Sequence, residues 1–346
     1  MKIKKISVFS LFVSLALIST FFSGCTQKTA TPTNTTTALV NVKLNEVVRS
    51  IFYAPMYAAI TQGYFKEEGL NIDLTTGQGA DKTMQQVLSK ASDIGLAGPE
   101  QVIYIYNQHR TDYPVLFAQL TQKDGSFLVS RNADANFKWE SLKGKTIIGG
   151  RPGGVPEMAL EYVLKNHGLK PGVDVNLITN LAFTATAGAF KAGIGNYVAL
   201  FEPTASTIQK SNSGHIVASV GESAGTIPYT CFFATKSYIA NNPAIIQKFT
   251  NAIYKGQKWV NSHSDKEVVA SIKSYFPGTD EAVLISSTKN YRSINAFSTN
   301  PTLTTENLTK LMDIIQSYKS TLIPSRPGFD TIVNTTFSKK AVTDIK

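Results

Sequence analysis

From about residue 39 onward, apolar and polar positions alternate, and stretches of helical spacing interrupt the alternation at intervals. Residues 44–50 (LNEVVRS) carry the two-residue period of a strand, and 54–65 read as a helix ending around Gly63. The succession repeats: a strand over 71–76 and a helix over 81–90, a strand over 93–97 and a helix over 99–108, then a strand over 114–120. Strand 127–130 opens a second series. In it 146–149, 175–179, 197–201 and 215–220 read as strands, and 156–167, 186–191 and 205–211 as helices. Residues 229–235 are one more strand-like run. From there the spacing is helical almost to the end, over 244–263, 266–276, 281–291 and 306–318.

Short strands alternating with helices predict an α/β fold with largely parallel sheets. Two such series, joined near 127–130 and 229–235, predict two lobes linked by two crossovers. Roughly 305 residues follow the first forty, enough for two lobes with a substantial core. Open α/β sheets bind ligands beyond the carboxyl ends of their strands. Two facing lobes would therefore form a cleft that closes by hinging.

The start of the chain follows a different pattern. Lys2, Lys4 and Lys5 precede a 17-residue apolar run, Ile6 to Phe22, and Ser23-Gly24-Cys25 closes it. A positive start, a short apolar core and small residues before a cysteine predict a lipoprotein signal peptide over 1–24. Cleavage would free Cys25 for acylation, palmitate included, and anchor the chain without a spanning helix. An uncleaved span is the alternative reading, at the lower limit of length. Seven of the twelve residues from Thr26 to Thr37 are threonine. With so little apolar content, 25–38 are expected to be a spacer between anchor and domain.

Composition adds few constraints. Hydrophobic residues make up 42% of the chain, ordinary for a globular protein. Loss of the three leader lysines takes the net charge from +10 to +7, and no basic block remains. Scattered cations argue against nucleic acid as a partner. Of the two cysteines, Cys231 sits in an apolar strand-like run and reads as a buried structural thiol with no disulfide partner.

Several segments carry a resemblance when taken in order: Phe52-Tyr-Ala-Pro-Met-Tyr-Ala-Ala-Ile60, Gly63-Tyr-Phe-Lys-Glu-Glu-Gly-Leu70, Gly79-Ala-Asp81, Asp93-Ile-Gly95, Leu142-Lys-Gly-Lys145, Phe201-Glu-Pro203 and Pro228-Tyr229. Their order and spacing resemble the solute-binding proteins of ABC importers for nitrate, sulfonates, taurine and thiamine pyrimidine precursors. The resemblance implies a two-lobed periplasmic-binding-protein-like fold of type II. Lobe I would comprise 39–126 and 231–346, and lobe II 127–230. It implies a monomer on the outer face of a bacterial cell membrane, held by Cys25, that passes a small heterocycle or a sulfonate- or nitrate-like solute to a permease and its ATPase. No cofactor is expected. A tethered sensor or adhesion protein without a permease is the competing reading.

Individual residues then acquire candidate roles. Phe52 and Tyr53 follow the first strand, where aromatics either stack on a flat solute or pack under the first helix. Gly153, Gly154 and Val155 belong to a glycine-rich turn before a helix, whose amides suit an anion or acceptor. Gly98 and Pro99 form the matching turn in lobe I, and Glu100 suits the helix start that follows. Glu202 is expected at the cleft mouth, either accepting from a ligand amino group or pairing within the protein. Gln119 and Tyr229 are further ligand candidates. Gly221-Glu-Ser223-Ala-Gly225 matches a nucleophile elbow, but a β-type run containing Pro228 follows it where the motif needs a helix. The spacings of common zinc motifs are missing, so no metal site is expected. The fungal pyrimidine-precursor synthases of similar fold carry a cysteine-rich motif that is not found here, which argues against an enzyme.

Overall fold

The computed structural model describes residues 38–346. The signal peptide expected over 1–24, Cys25 and the threonine-rich residues up to Thr37 lie outside them. Ten strands form two five-stranded sheets. The first sheet contains β1 (Val40–Glu46), β2 (Leu70–Thr76), β3 (Ile94–Ala97), β4 (Pro114–Thr121) and, from much later in the chain, β10 (Thr230–Thr235). The second contains β5 (Ser126–Ser130), β6 (Thr146–Ile148), β7 (Asn176–Ile178), β8 (Tyr197–Phe201) and β9 (His215–Ser219). Their orders are β2-β1-β3-β10-β4 and β7-β6-β8-β5-β9.

β1 pairs in parallel with β2 and β3, and β6 with β7 and β8. The strands next to the crossovers are antiparallel to their neighbours: β10 to β3 and β4, β5 to β8 and β9. β4 and β10 are buried along their whole length, which explains their unbroken apolar runs. Cys231 is a free, fully buried thiol in β10.

The first strand runs Val40–Glu46 rather than 44–50. It pairs with β2 from Val40↔Leu70 to Glu46↔Thr76, and both strands end together. Beyond that point no partner continues the ladder, so Val47 and Val48 leave the sheet despite their strand-like pattern. The Ser50 hydroxyl then accepts from Phe52 N at 3.2 Å and opens a single 3₁₀ turn, Ile51–Tyr53. The helix read over 54–65 divides into Ala54–Thr61 and Tyr64–Glu67. Gly63, at φ 81°, takes the left-handed turn between them.

The larger hydrophobic core continues from the first sheet into Phe127, Val129, Ile148, Val198 and Leu200 of the second. A smaller core around Leu142, Ile147, Leu160 and Leu164 fills the other face of the second sheet. The C-terminal helix Thr336–Asp344, which the sequence pattern left unassigned, packs on helix Pro243–Ser262 and on β4. The chain crosses between sheets twice, through 122–125 and 220–229, and the crossovers lie in direct contact. A methyl group at Gly221 would collide with the Asp124 backbone. We expect Gly221→Ala to destabilise the fold by about 1–3 kcal/mol through this overlap. Urea denaturation should show a lower midpoint with an unchanged slope; an unchanged midpoint would contradict the contact.

Candidate functional site

The turns that follow the carboxyl ends of β1, β3, β6 and β8 meet along a seam between the two sheets. On one side, the β1 turn brings up Ser50, Phe52 and Tyr53. On the other, β8 ends in Phe201 and Glu202. The Ser50 hydroxyl donates to the Glu202 carbonyl at 2.8 Å, which ties the two turns together. Phe52 is the centre of a ring cluster. Its centroid lies 4.6 Å from Tyr291, 5.4 Å from Tyr229, 6.1 Å from Tyr53 and 6.2 Å from Phe201. Such spacings are those of favourable aromatic pairs. Gly125, in the first crossover, leaves room for them: a Cβ there would lie 2.7 Å from Phe52 and 2.9 Å from Phe201. Phe183, more than half exposed, caps the edge with its centroid 5.7 Å from Phe201.

Glu202 is buried, and its carboxylate is fully occupied. It accepts from Ser206 N at 2.9 Å and Ser206 Oγ at 2.8 Å, both on its own side. From helix Glu281–Ser293 it accepts from Ser287 Oγ at 3.1 Å and Asn290 Nδ2 at 2.7 Å. Its backbone N–H donates to the Tyr291 hydroxyl at 3.0 Å. The geometry therefore gives Glu202 the structural pairing instead of a carboxylate presented to the cleft mouth.

Farther along the seam, the Tyr104 hydroxyl donates to Gly153 O at 2.9 Å, and Arg151 Nε lies 3.8 Å from Asp81 Oδ1. The glycine turn is partly consumed by its own side chains. Gly150 N donates to Glu157 Oε2 at 2.7 Å, and Gly154 N to Arg151 O at 3.0 Å. Gly154 caps the helix and Val155, buried, is its first residue. In the matching turn, Pro99 caps helix Glu100–Tyr106, and Gly98 lacks a Cβ because the Glu100 carboxyl occupies that space.

Four buried carboxyls border this region. Burial pushes Glu46, Glu100 and Glu157 up to about 7 and Asp124 to about 6. Hydrogen bonds and cations oppose the rise without cancelling it: Tyr57 and Arg49 at Glu46, Gln101 and Arg151 at Glu100, Gly150 at Glu157, Ser126 at Asp124. Among the described residues no group of three or more His, Cys, Asp or Glu is placed to hold a metal ion.

Of the residues singled out from sequence, Phe52, Tyr53 and Tyr229 come together in the ring cluster with Phe201. Glu202 lies beside them, engaged internally. Gly98, Pro99, Gly153, Gly154 and Val155 form the two turns farther along. Gln119 is elsewhere: its Nε2 donates to Ser298 Oγ at 2.9 Å, and its backbone carbonyl accepts from Gln257 Nε2 at 2.8 Å. Ser223 takes no nucleophile's place, since its hydroxyl accepts from Trp139 Nε1 at 3.0 Å. Sequence reasoning missed Tyr291, Asn290 and Ser287, whose pattern signalled only a helix. It missed Asp124 altogether. Two concave sites lie away from the rings, one of about 490 Å³ beside Lys210 and Asp280 and one of about 200 Å³ beside Asp93 and Tyr238.

Comparison with known proteins now has a geometry to refer to. Residues 51–267 match the family model described as NMT1/THI5 like. The "Putative binding protein YtlA" of Bacillus subtilis (strain 168) is 45% identical over 306 residues, 88% of this chain and 91% of that protein. The 4-amino-5-hydroxymethyl-2-methylpyrimidine phosphate synthase THI13 of Saccharomyces cerevisiae is 26% identical over 60% of this chain and 63% of its own length. Among solved structures, the alkanesulfonate-binding protein SsuA of Xanthomonas axonopodis pv. citri, bound to MOPS, superposes with a TM-score of 0.68 at 15% identity. It covers 86% of this chain and 99% of that one. The ligand-binding component of an ABC-type import system from Staphylococcus aureus gives 0.66 at 14%, covering 87% and 99%. At these identities the two structures establish the fold alone, the two-lobed periplasmic-binding-protein fold expected from the sequence.

The raised carboxyls set a pH dependence. A buried glutamic acid that titrates near 7 holds its proton more tightly in the folded chain than in the unfolded one, where it titrates near 4.5. Its contribution to stability is complete below the lower value and is lost as pH rises through the upper one, at about 1.4 kcal/mol per pH unit in between. We expect Glu100→Gln to flatten the decline of Tm between pH 5 and pH 8, measured by thermal unfolding. The same decline in wild type and variant would show that Glu100 is not neutral in the folded protein at pH 5.

Proposed function

The chain belongs to the NMT1/THI5-like family, and on that premise we propose that it is the lipid-anchored solute-binding component of an ABC importer. In this reading lobe I is 39–126 with 231–346, and lobe II is 127–230. A small heterocycle, or a sulfonate- or nitrate-like solute, enters the seam and is held by Phe52, Tyr53, Tyr229 and the turns at 98–99 and 153–155. The closed form then docks on a permease. One observation carries the proposal: the strand ends of two separate sheets face each other across a ring cluster, and only two adjacent crossovers join the sheets. That arrangement opens and closes by rotation about the crossovers without disturbing either sheet. Covering the rings on closure removes apolar area from water, and the seam polar groups fix orientation.

Cys25 would carry the acyl chains, and the threonine-rich residues after it would let the lobes reach the transporter. No helix among the described residues is long and apolar enough to cross a membrane. The Bacillus relative, named for binding and covering nearly the whole chain, supports a role without turnover. The fungal synthases match a smaller part at lower identity.

Two measurements check the proposal. Mass spectrometry of solute released from freshly purified protein should find a bound small molecule. Calorimetry with a panel of sulfonates, nitrate and nitrogen heterocycles should find a ligand of one-to-one stoichiometry. No released solute together with no binding across the panel, or chemical turnover of whatever binds, would overturn it. For the anchor, Cys25→Ala should move the protein from the membrane fraction to the soluble fraction. Unchanged membrane retention would favour a spanning leader.

A further inference from the structure

Outside the buried seam, charged side chains join the two halves of the chain along its rim. Lys165, in the last turn of helix Val155–Asn166, donates from Nζ to Ser317 O at 2.6 Å, and Ser317 lies in the last turn of helix Thr305–Lys319. Lys210, the final residue of helix Thr204–Lys210, has its Nζ 2.8 Å from Asp280 Oδ2. Arg151 Nε lies 3.8 Å from Oδ1 of Asp81, in the first turn of helix Ala80–Leu88. In the division proposed above, each of these cations belongs to lobe II and each acceptor to lobe I. Among the described residues, both ion pairs that cross between the lobes have this polarity.

The acceptors stand at helix ends, which fixes their positions. Asp280 caps helix Glu281–Ser293: its Oδ1 accepts from Ala282 N at 2.9 Å and Val283 N at 3.3 Å, which leaves Oδ2 for Lys210. Lys210, more than those amides, holds the Asp280 carboxyl below the usual carboxylate range. Ser317 O belongs to the negative end of its helix, which attracts a cation. Glu161, 3.4 Å from Lys165 on the same helix, steadies the ammonium. The seam behind the rim is joined differently. The Ser50 and Tyr104 hydroxyls donate to backbone carbonyls across it, and Ser287 and Asn290 to the buried Glu202 carboxylate, all of them uncharged donors. Dissolved ions screen exposed charges and leave buried contacts nearly untouched. Lys210 and Asp280 are each 54% exposed, and Arg151 and Asp81 49% and 48%. Salt therefore acts on the rim and spares the seam.

We propose that Lys165, Lys210 and Arg151 form an electrostatic clasp across the rim, which holds the seam shut at low ionic strength and slackens as salt rises. The inference rests on the reading that the seam opens and closes, and it adds a control on that balance. Each exposed contact is weak by itself. An equilibrium between two arrangements of one chain is decided by small differences, so three contacts of the same polarity shift it together. The clasp lies outside the ring cluster and acts whatever solute the lobes enclose.

The test uses the whole mature chain, stripped of solute, with spin labels at exposed Lys66 and Lys143, one on each lobe. Pulsed electron spin resonance compares their separation in about 20 mM and about 0.5 M sodium chloride, on either side of the range where screening sets in. In wild type the share of the short distance should fall by about 3- to 10-fold at the higher concentration, the joint loss of three surface contacts. Lys165→Met combined with Lys210→Met should show the smaller share at both concentrations. Asp280→Asn, whose side chain still caps the helix, should lose part of the response, and it keeps the test decisive if a melting curve shows the double variant unfolded. A wild-type distribution unchanged by salt, or a folded double variant that responds as strongly as wild type, would overturn the clasp while leaving a solute-binding protein. One fixed distance at both concentrations, with the solute released from native protein as without it, would overturn the opening and closing as well.

Discussion

The Glu202 carboxylate is the interaction on which the closed seam depends. A buried carboxylate is stable only when donors replace the water it has lost. Here two donors come from Ser206, beside it in sequence, and two from Ser287 and Asn290, across the seam on another helix. Neither side alone completes the set. Each hydrogen bond to a charged group contributes roughly 1.5–3 kcal/mol when it replaces nothing better. Separating the two sides exposes half of the set to water, which substitutes for the lost donors. On the proposed reading, the same residue would tolerate both an open and a closed arrangement.

The aromatic cluster lies beside this knot and depends on it. Helix Glu281–Ser293 packs against both the 51–53 turn and helix Thr204–Lys210, so the Glu202 contacts fix where Tyr291 sits. Tyr291 then stacks on Phe52, and Phe52 meets Tyr229 and Phe201. Rings from four separate segments converge because one carboxylate holds the helix in place. The two crossovers touch at Asp124 and Gly221, so the chain passes between the sheets at one place.

Much of this was legible from the chain itself. The β-α succession predicted both sheets, and the strand ends at 201 and 229–235 fell where the structure has them. Phe52 and Tyr53 were legible as aromatics just after the first strand, but that Tyr229 meets them in one cluster was not. The misreadings share a cause. Val47 and Val48 continue a strand pattern, but whether a strand continues depends on its neighbour, and β2 ends at Thr76. The chain leaves Glu202 open between a ligand amino group and a partner within the protein, because Ser287 and Asn290 lie more than eighty positions away. No local pattern tells a satisfied carboxylate from an orphaned one. The reverse holds for Glu100, which reads as a helix-start residue in sequence and keeps a free oxygen only because no donor from elsewhere reaches it.

The central claim is that the two sheets close on a solute through this seam. Pulsed electron spin resonance tests it directly, with spin labels at exposed positions Lys66 and Lys143, Cys231 being buried. We expect a broad distance distribution in protein stripped of solute by mild denaturation and refolding. Addition of the solute recovered from the native protein should narrow it to a single shorter distance. One narrow distance, identical with and without solute, would contradict the account.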